Sequence, residues 1–124
     1  MCGIAGYTHV SHDLPAGVLY SALRGLIHRG PDRQEGYRTP HISLGATRLR
    51  IVDMEHGDQP LHSADGAWTV VFNGEIYNHR ALRAELTDRG HRFRTQCDTE
   101  VVLESYLEWG GDCFTHSCGV CDRG

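Results

Sequence analysis

CGIAGYT, residues 2–8, is short, interrupted by glycines and β-prone, and its reading as a first strand frames the rest of the chain. A polar loop over 9–13 follows it. From Pro15, a favourable first-turn residue, the apolar positions Val18, Leu19, Ala22, Leu23, Leu26 and Ile27 recur at helical spacing until Gly30-Pro31 stops the run. The alternation then continues. ISLGATRLRIV (42–52) and AWTVVF (67–72) read as strands, the second closed by Asn73-Gly74, with residues 54–66 between them as a long loop. A second helix is expected over 78–89, where Ala81, Leu82 and Leu86 share a face and Gly90 supplies the stop. Residues 92–95 are expected to form a short strand. The third helix carries Val101, Val102, Leu103, Tyr106, Leu107 and Trp109 and ends at Gly110-Gly111. Strand, helix, strands, helix, strand, helix predicts an α+β or layered α/β domain. The tail CFTHSCGVCDRG contains no run able to pair as a further buried strand, which predicts an exposed sheet edge.

A chain of 124 residues has the length of one domain, and 40% hydrophobic with 23% charged residues describes a globular chain rather than a disordered one. The net charge of -4, without a block of like charges, gives no footprint for nucleic acid or for an anionic membrane. Small molecules or other proteins are the expected partners. No run approaches the roughly 20 apolar residues of a bilayer span, and the start lacks the build of a signal peptide, so a cytoplasmic location is expected. The five cysteines are odd in number, and Cys113, Cys118 and Cys121 crowd the end, which predicts free thiols rather than a disulfide framework.

Several residues have chemistry to offer. Cys2 is open to two readings: a buried cysteine at a strand start, or a nucleophile whose own α-amine, freed by removal of Met1, accepts the thiol proton through a water. Asn73-Gly74 is either a turn or an oxyanion hole built from a side-chain amide and an unobstructed backbone N–H. Glu75 would then stand at its rim, available to a cationic group. Arg48 lies on a solvated strand face, or faces inward and needs a carboxylate. For Asp98, N-capping of the third helix is a sufficient explanation. Arg29 and Asp32 in RGPD read as a helix terminator and tight loop.

The ordered set MCGIAG (1–6), HRGPD (28–32), RLRIVD (48–53), NGEIYN (73–78) and CDTE (97–100) resembles the class II glutamine amidotransferase domain, with an N-terminal nucleophile, at the front of the asparagine synthetase family. Amidophosphoribosyltransferase and glucosamine-6-phosphate synthase share this kind of domain, but HRGPD, NGEIYNH and the DTE helix are closer to the asparagine synthetase branch. The resemblance covers residues 2 to about 114. It implies a layered α/β/β/α sandwich of the N-terminal-nucleophile type, glutamine as substrate, and hydrolysis to glutamate and ammonia through a thioester. Residue by residue, it makes Cys2 the nucleophile and Asn73 and Gly74 the oxyanion hole. Arg48 matches the holder of the α-carboxylate, and Glu75 with Asp98 the acceptors of the α-ammonium. Arg29 and Asp32 stay structural.

The resemblance implies no metal or other cofactor for glutamine hydrolysis. ATP and Mg belong to a separate synthetase domain that uses the ammonia, on an acceptor such as aspartate, and this domain is not in the chain. Residues 1–114 are thus expected to be an amidotransferase domain that lacks its last strands, with 115–124 a divergent tail. A synthetase domain or subunit, or a second copy in a homodimer, is the expected protein partner. Two alternatives stand beside the enzyme: a non-catalytic remnant with its pocket unformed, and a module whose tail binds zinc through Cys113, His116, Cys118 and Cys121. Against zinc, those four crowd into residues 113–121, tighter than usual zinc spacing. The pairs His9/His12 and His56/His62 are expected to be solvated loop residues.

Overall fold

Residues 3–8 do open a sheet, in a part of the chain where three antiparallel strands pack against one helix. The structure, a computed structural model, describes residues 2–10, 14–49 and 58–117, together with the backbone of 119–121. It divides into two compact units. Unit 1 comprises Met1–Ile51, Asp58–Pro60 and Val71–Asn73; unit 2 comprises Val52–Gly57, Leu61–Val70 and Gly74–Gly124.

In unit 1, β1 (Gly3–Thr8), β2 (Arg33–Arg38) and β3 (Ile42–Arg48) form an antiparallel sheet in the order β1-β3-β2. The register runs from Gly3 opposite Thr47 to Thr8 opposite Ile42, and from Arg33 opposite Arg48 to Arg38 opposite Ser43. The helix α1 (Ala16–Gly25) packs on this sheet through Leu19 and Leu23, both fully buried. Gly36 and Gly45 face each other across β2 and β3. A Cβ at Gly36 would stand 2.8 Å from Leu19 Cδ2, and one at Gly45 2.8 Å from Leu23 Cδ1. The helix leucines therefore lie on bare strand backbone, an approach that only glycine permits. The helix ends at Gly25, earlier than its apolar spacing suggests, and Leu26 to Arg29 continue as a turn that leaves Ile27 exposed.

The strand β2 was not legible in the sequence. RQEGYR has no apolar alternation, because an edge strand needs only backbone pairing with β3 to be held.

Unit 2 contains the small hairpin β4 (Leu61–His62) with β5 (Thr69–Val70), and β6 (Gly74–Ile76) paired antiparallel with β7 (Gly119–Cys121). Its helices are α2 (His79–Asp88), α3 (Asp98–Trp109) and, after a 3-10 turn over Gly110–Asp112, the short α4 (Cys113–His116). Leu82 and Leu86 of α2 and Val101 and Leu103 of α3 are buried, and the two helices pack on one another. Ala81, expected on that face, is exposed. Gly90 at φ 100° and Gly110 at φ 58° take the left-handed backbone that ends α2 and α3.

Four expectations change here. The strand foreseen over 67–72 is regular only at Thr69–Val70, and the loop foreseen over 54–66 contains its partner, β4. Asn73-Gly74 is no hairpin turn, since β5 pairs with β4 and β6 with β7, and Gly74 itself begins a strand. Residues 92–95 form no strand: Glu100 accepts the Arg94 and Thr95 amides, and Arg83 donates to the Thr95 and Cys97 carbonyls. Finally, the tail does pair, through β7, because a three-residue ladder needs backbone groups and no apolar run.

Candidate active site

The thiol of Cys2 is free, half-buried, and sits just before β1. The peptide unit that follows it is held at both its carbonyl and its N–H. Arg29 Nε donates to the Cys2 carbonyl at 3.3 Å, and the Gly3 amide donates to Thr47 Oγ1 at 3.1 Å. The β1–β3 register ends at Gly3 opposite Thr47, with Cys2 directly before the one and Arg48 directly after the other. Strand alternation turns Arg48 away from the glycine face that receives the leucines of α1.

HRGPD braces this corner. A Cβ at Gly30 would lie 2.4 Å from the Arg48 nitrogen and 2.5 Å from the Thr47 carbonyl carbon, so only glycine lets the turn touch the end of β3. Pro31 bridges to Arg48 in parallel sense, and the Asp32 amide donates to the Arg48 carbonyl at 3.1 Å. Arg29, expected as a helix terminator, thus reaches the Cys2 carbonyl, and the Asp32 backbone the Arg48 carbonyl.

Arg48 is 8% exposed, which removes the solvated-face reading. Its NH1 donates to Asp58 Oδ1 at 2.9 Å, the carboxylate that an inward arginine requires. Asp58 also pairs with Arg33. Its neighbour Gln59 brackets Phe72: Gln59 Nε2 donates to the Phe72 carbonyl at 2.9 Å, and the Phe72 amide donates to Gln59 Oε1 at 2.6 Å. Asn73 follows directly.

In unit 2, Gly74 begins β6, Glu75 is exposed, and the Ile76 amide donates to Asp98 Oδ2 at 3.2 Å. Asp98 is therefore no N-cap. It is the first residue of α3, Cys97 occupies the cap position without a side-chain cap bond, and the Asp98 carboxylate is spent on β6 instead. This bond brings Asp98 to the residue next to Glu75. The six candidates thus divide: Cys2, Arg48 and Asn73 lie in unit 1, and Gly74, Glu75 and Asp98 in unit 2.

Residues that sequence reasoning passed over hold these in place. Glu100 is fully buried, and its two oxygens accept the Arg94 amide at 2.9 Å, the Thr95 amide at 2.7 Å and the Thr95 hydroxyl at 2.6 Å. Arg83 donates to the Thr95 and Cys97 carbonyls at 2.7 and 3.0 Å. The signal for Glu100 was its place two residues after Asp98 in CDTE; for Asp58 and Gln59, a run of turn chemistry concealed it.

His9 and His62 are not merely solvated. His9 Nε2 hydrogen-bonds Ser43 Oγ at 2.9 Å and its ring meets Tyr7 edge-on, while His62 Nδ1 bonds Thr69 Oγ1 at 2.9 Å. His12 and His56 lie outside the described residues. So does Cys118 of the zinc alternative, as does the side chain of Cys121. Cys113 is buried, and burial pushes its thiol above the usual range, so it holds its proton as a packing residue. Among the described residues no group of three His, Cys, Asp or Glu is placed to hold a metal ion, and no helix is long and apolar enough to cross a membrane.

Unit 1 thus carries a half-buried thiol at the head of β1 and a buried arginine at the end of β3, and unit 2 carries Asp98 and Glu100 in the first turn of α3, in a chain of mixed α and β structure. The sequence profile of the glutamine amidotransferase domain matches residues 1–121. The chain is 39% identical over 125 residues to the glutamine-hydrolyzing asparagine synthetase 3 of Bacillus subtilis (strain 168), covering 97% of this chain and 20% of that protein. With asparagine synthetase B, glutamine-hydrolyzing, of Escherichia coli (strain K12), identity is 42% over 113 residues, 89% of this chain and 20% of that protein. With the glutamine-hydrolyzing asparagine synthetase 1 of Arabidopsis thaliana it is 41% over 114 residues, 90% and 19%. The chain belongs to the glutamine amidotransferase domain family, and it spans about a fifth of the length of the curated relatives it matches.

Proposed function

We propose that this domain hydrolyses glutamine to glutamate and ammonia, with Cys2 as nucleophile. The Cys2 thiol, giving its proton to the α-amine freed when Met1 is removed, attacks the carboxamide carbon. The carbonyl oxygen becomes an oxyanion, which the Asn73 amide and the Gly74 N–H stabilise, each donor worth about 3–4 kcal/mol in sites of this kind. Collapse expels the amide nitrogen as ammonia, protonated by the same amine, and leaves a glutamyl thioester. Water then cleaves the thioester to glutamate and restores the thiol. Arg48 holds the α-carboxylate, and Glu75 with Asp98 receives the α-ammonium.

The observation that carries this reading is the free, half-buried Cys2 thiol at the head of β1, its carbonyl held by Arg29, in a chain whose residues 1–121 match the glutamine amidotransferase domain. A helix packed on one face of an antiparallel sheet supports the layered α/β/β/α sandwich as the fold of the complete domain. The thiol chemistry calls for no cofactor. ATP and Mg serve a synthetase domain or subunit, which we propose as the partner that takes the ammonia to an acceptor such as aspartate. The test is glutaminase activity of the purified protein, with intact mass spectrometry to establish Met1 removal. Cys2→Ala is expected to abolish ammonia release, and a glutamine-mimicking electrophile to label Cys2; release that survives the substitution excludes the mechanism.

A further inference from the structure

We infer that Gln59 is a positioning residue for the oxyanion hole, its side-chain amide setting the direction of Asn73 through both backbone groups of Phe72. This rests on the reading of Asn73 as an oxyanion donor. The carboxamide accepts from the Phe72 N–H at 2.6 Å and donates to the Phe72 carbonyl at 2.9 Å. One planar amide thus supplies the donor and acceptor that a neighbouring strand would otherwise present. Val71–Asn73 needs such a substitute, since it lies between β5 and β6 and belongs to no strand.

The geometry reaches Asn73 directly. The Phe72 carbonyl and the Asn73 N–H belong to one rigid peptide plane, so fixing that carbonyl fixes the plane from which the Asn73 Cα and side chain depart. An oxyanion donor acts only when aimed at the position of the developing charge, where a misplacement of about 1 Å loses much of its effect. Asp58, the adjacent residue, pairs with Arg48, so two consecutive side chains hold two different candidate site residues in unit 1.

The test uses the full chain with Gln59→Ala and the nearly isosteric Gln59→Glu, which keeps an acceptor for the Phe72 N–H but sets a carboxylate against the Phe72 carbonyl. Both are expected to lower kcat for glutamine hydrolysis about 10- to 100-fold, with KM within about twofold, because the donor acts in the transition state. In the Asn73→Ala background, Gln59→Ala is expected to add little further loss. An unchanged kcat, an effect on KM alone, or full additivity with Asn73→Ala overturns the inference. So does loss of folding in both Gln59 variants, which would make Gln59 a stability residue. The two readings fail differently: if Asn73→Ala itself leaves kcat intact, the oxyanion assignment falls, whereas a damaged Asn73→Ala beside an unaffected Gln59→Glu removes Gln59 alone.

Discussion

The two units hold their share of the site by different means. In unit 1, Arg48 is placed by strand register and Cys2 leads directly into β1, and the turn beside them touches the Arg48 backbone where Gly30 has no side chain. In unit 2, Asp98 and the residues before it are placed by side chains reaching onto backbone: Asp98 to Ile76, Glu100 to Arg94 and Thr95, Arg83 to Thr95 and Cys97. A backbone contact tolerates no added atom, while a side-chain clamp weakens in steps as its bonds are removed. Damage in unit 1 should be abrupt and damage in unit 2 graded.

The sharpest way to break this contrast is Gly30→Ala. With the Arg48 nitrogen 2.4 Å from the added methyl, the turn must leave β3, and a loss on the order of 3 kcal/mol or more is expected in urea unfolding. A variant as stable as the parent would show that the corner is not built on backbone contact. Next comes Glu100→Gln, which preserves shape but turns an NH2 toward a donor whichever way the amide sits. A loss of about 2 kcal/mol is expected, read in the same assay. An effect equal to that of Gly30→Ala would erase the distinction between the units.

The smallest effect concerns pH. His91 donates toward Glu104 Oε2 at 2.7 Å and Glu108 Oε2 at 2.8 Å, while Arg89 pairs with Glu108 and Glu85. Burial alone would lower the His91 pKa, but the bonds to Glu108 and Glu104 outweigh it and leave it raised. Its stabilisation is complete below about pH 6.5, the ordinary value, and is lost as pH rises through the raised folded value. The melting temperature should fall across that interval by about 2 °C beyond any background trend, and His91→Gln should flatten the difference. A drop of the same size in His91→Gln would assign the pH dependence to other groups.

How much of this was readable in the sequence follows the same division. The strand β1 and the helices α1, α2 and α3 announce themselves by apolar spacing or glycine punctuation, and each is present. What escaped was held by polar partners or short pairing: β2 by pairing at an edge, β4 by two residues against β5, and 92–95 by Glu100 and Arg83 instead of a neighbouring strand. Arg48 was legible as an arginine that needs a carboxylate if it faces inward, but Asp58, ten residues on, carried no local mark of being that partner. Asp98 shows the reverse error. A carboxylate at a helix start has a sufficient local use, and only the fold shows it bonded to a strand.

The paired glycines Gly36 and Gly45 give the layer they share with Leu19 and Leu23 a one-sided character. All the interlocking volume there comes from the helix, and the strands offer a flat seat with nothing to trim or enlarge. When a side chain on this face of α1 grows, nothing at 36 or 45 can be cut back to make room, so added volume in this layer must be absorbed along the helix itself.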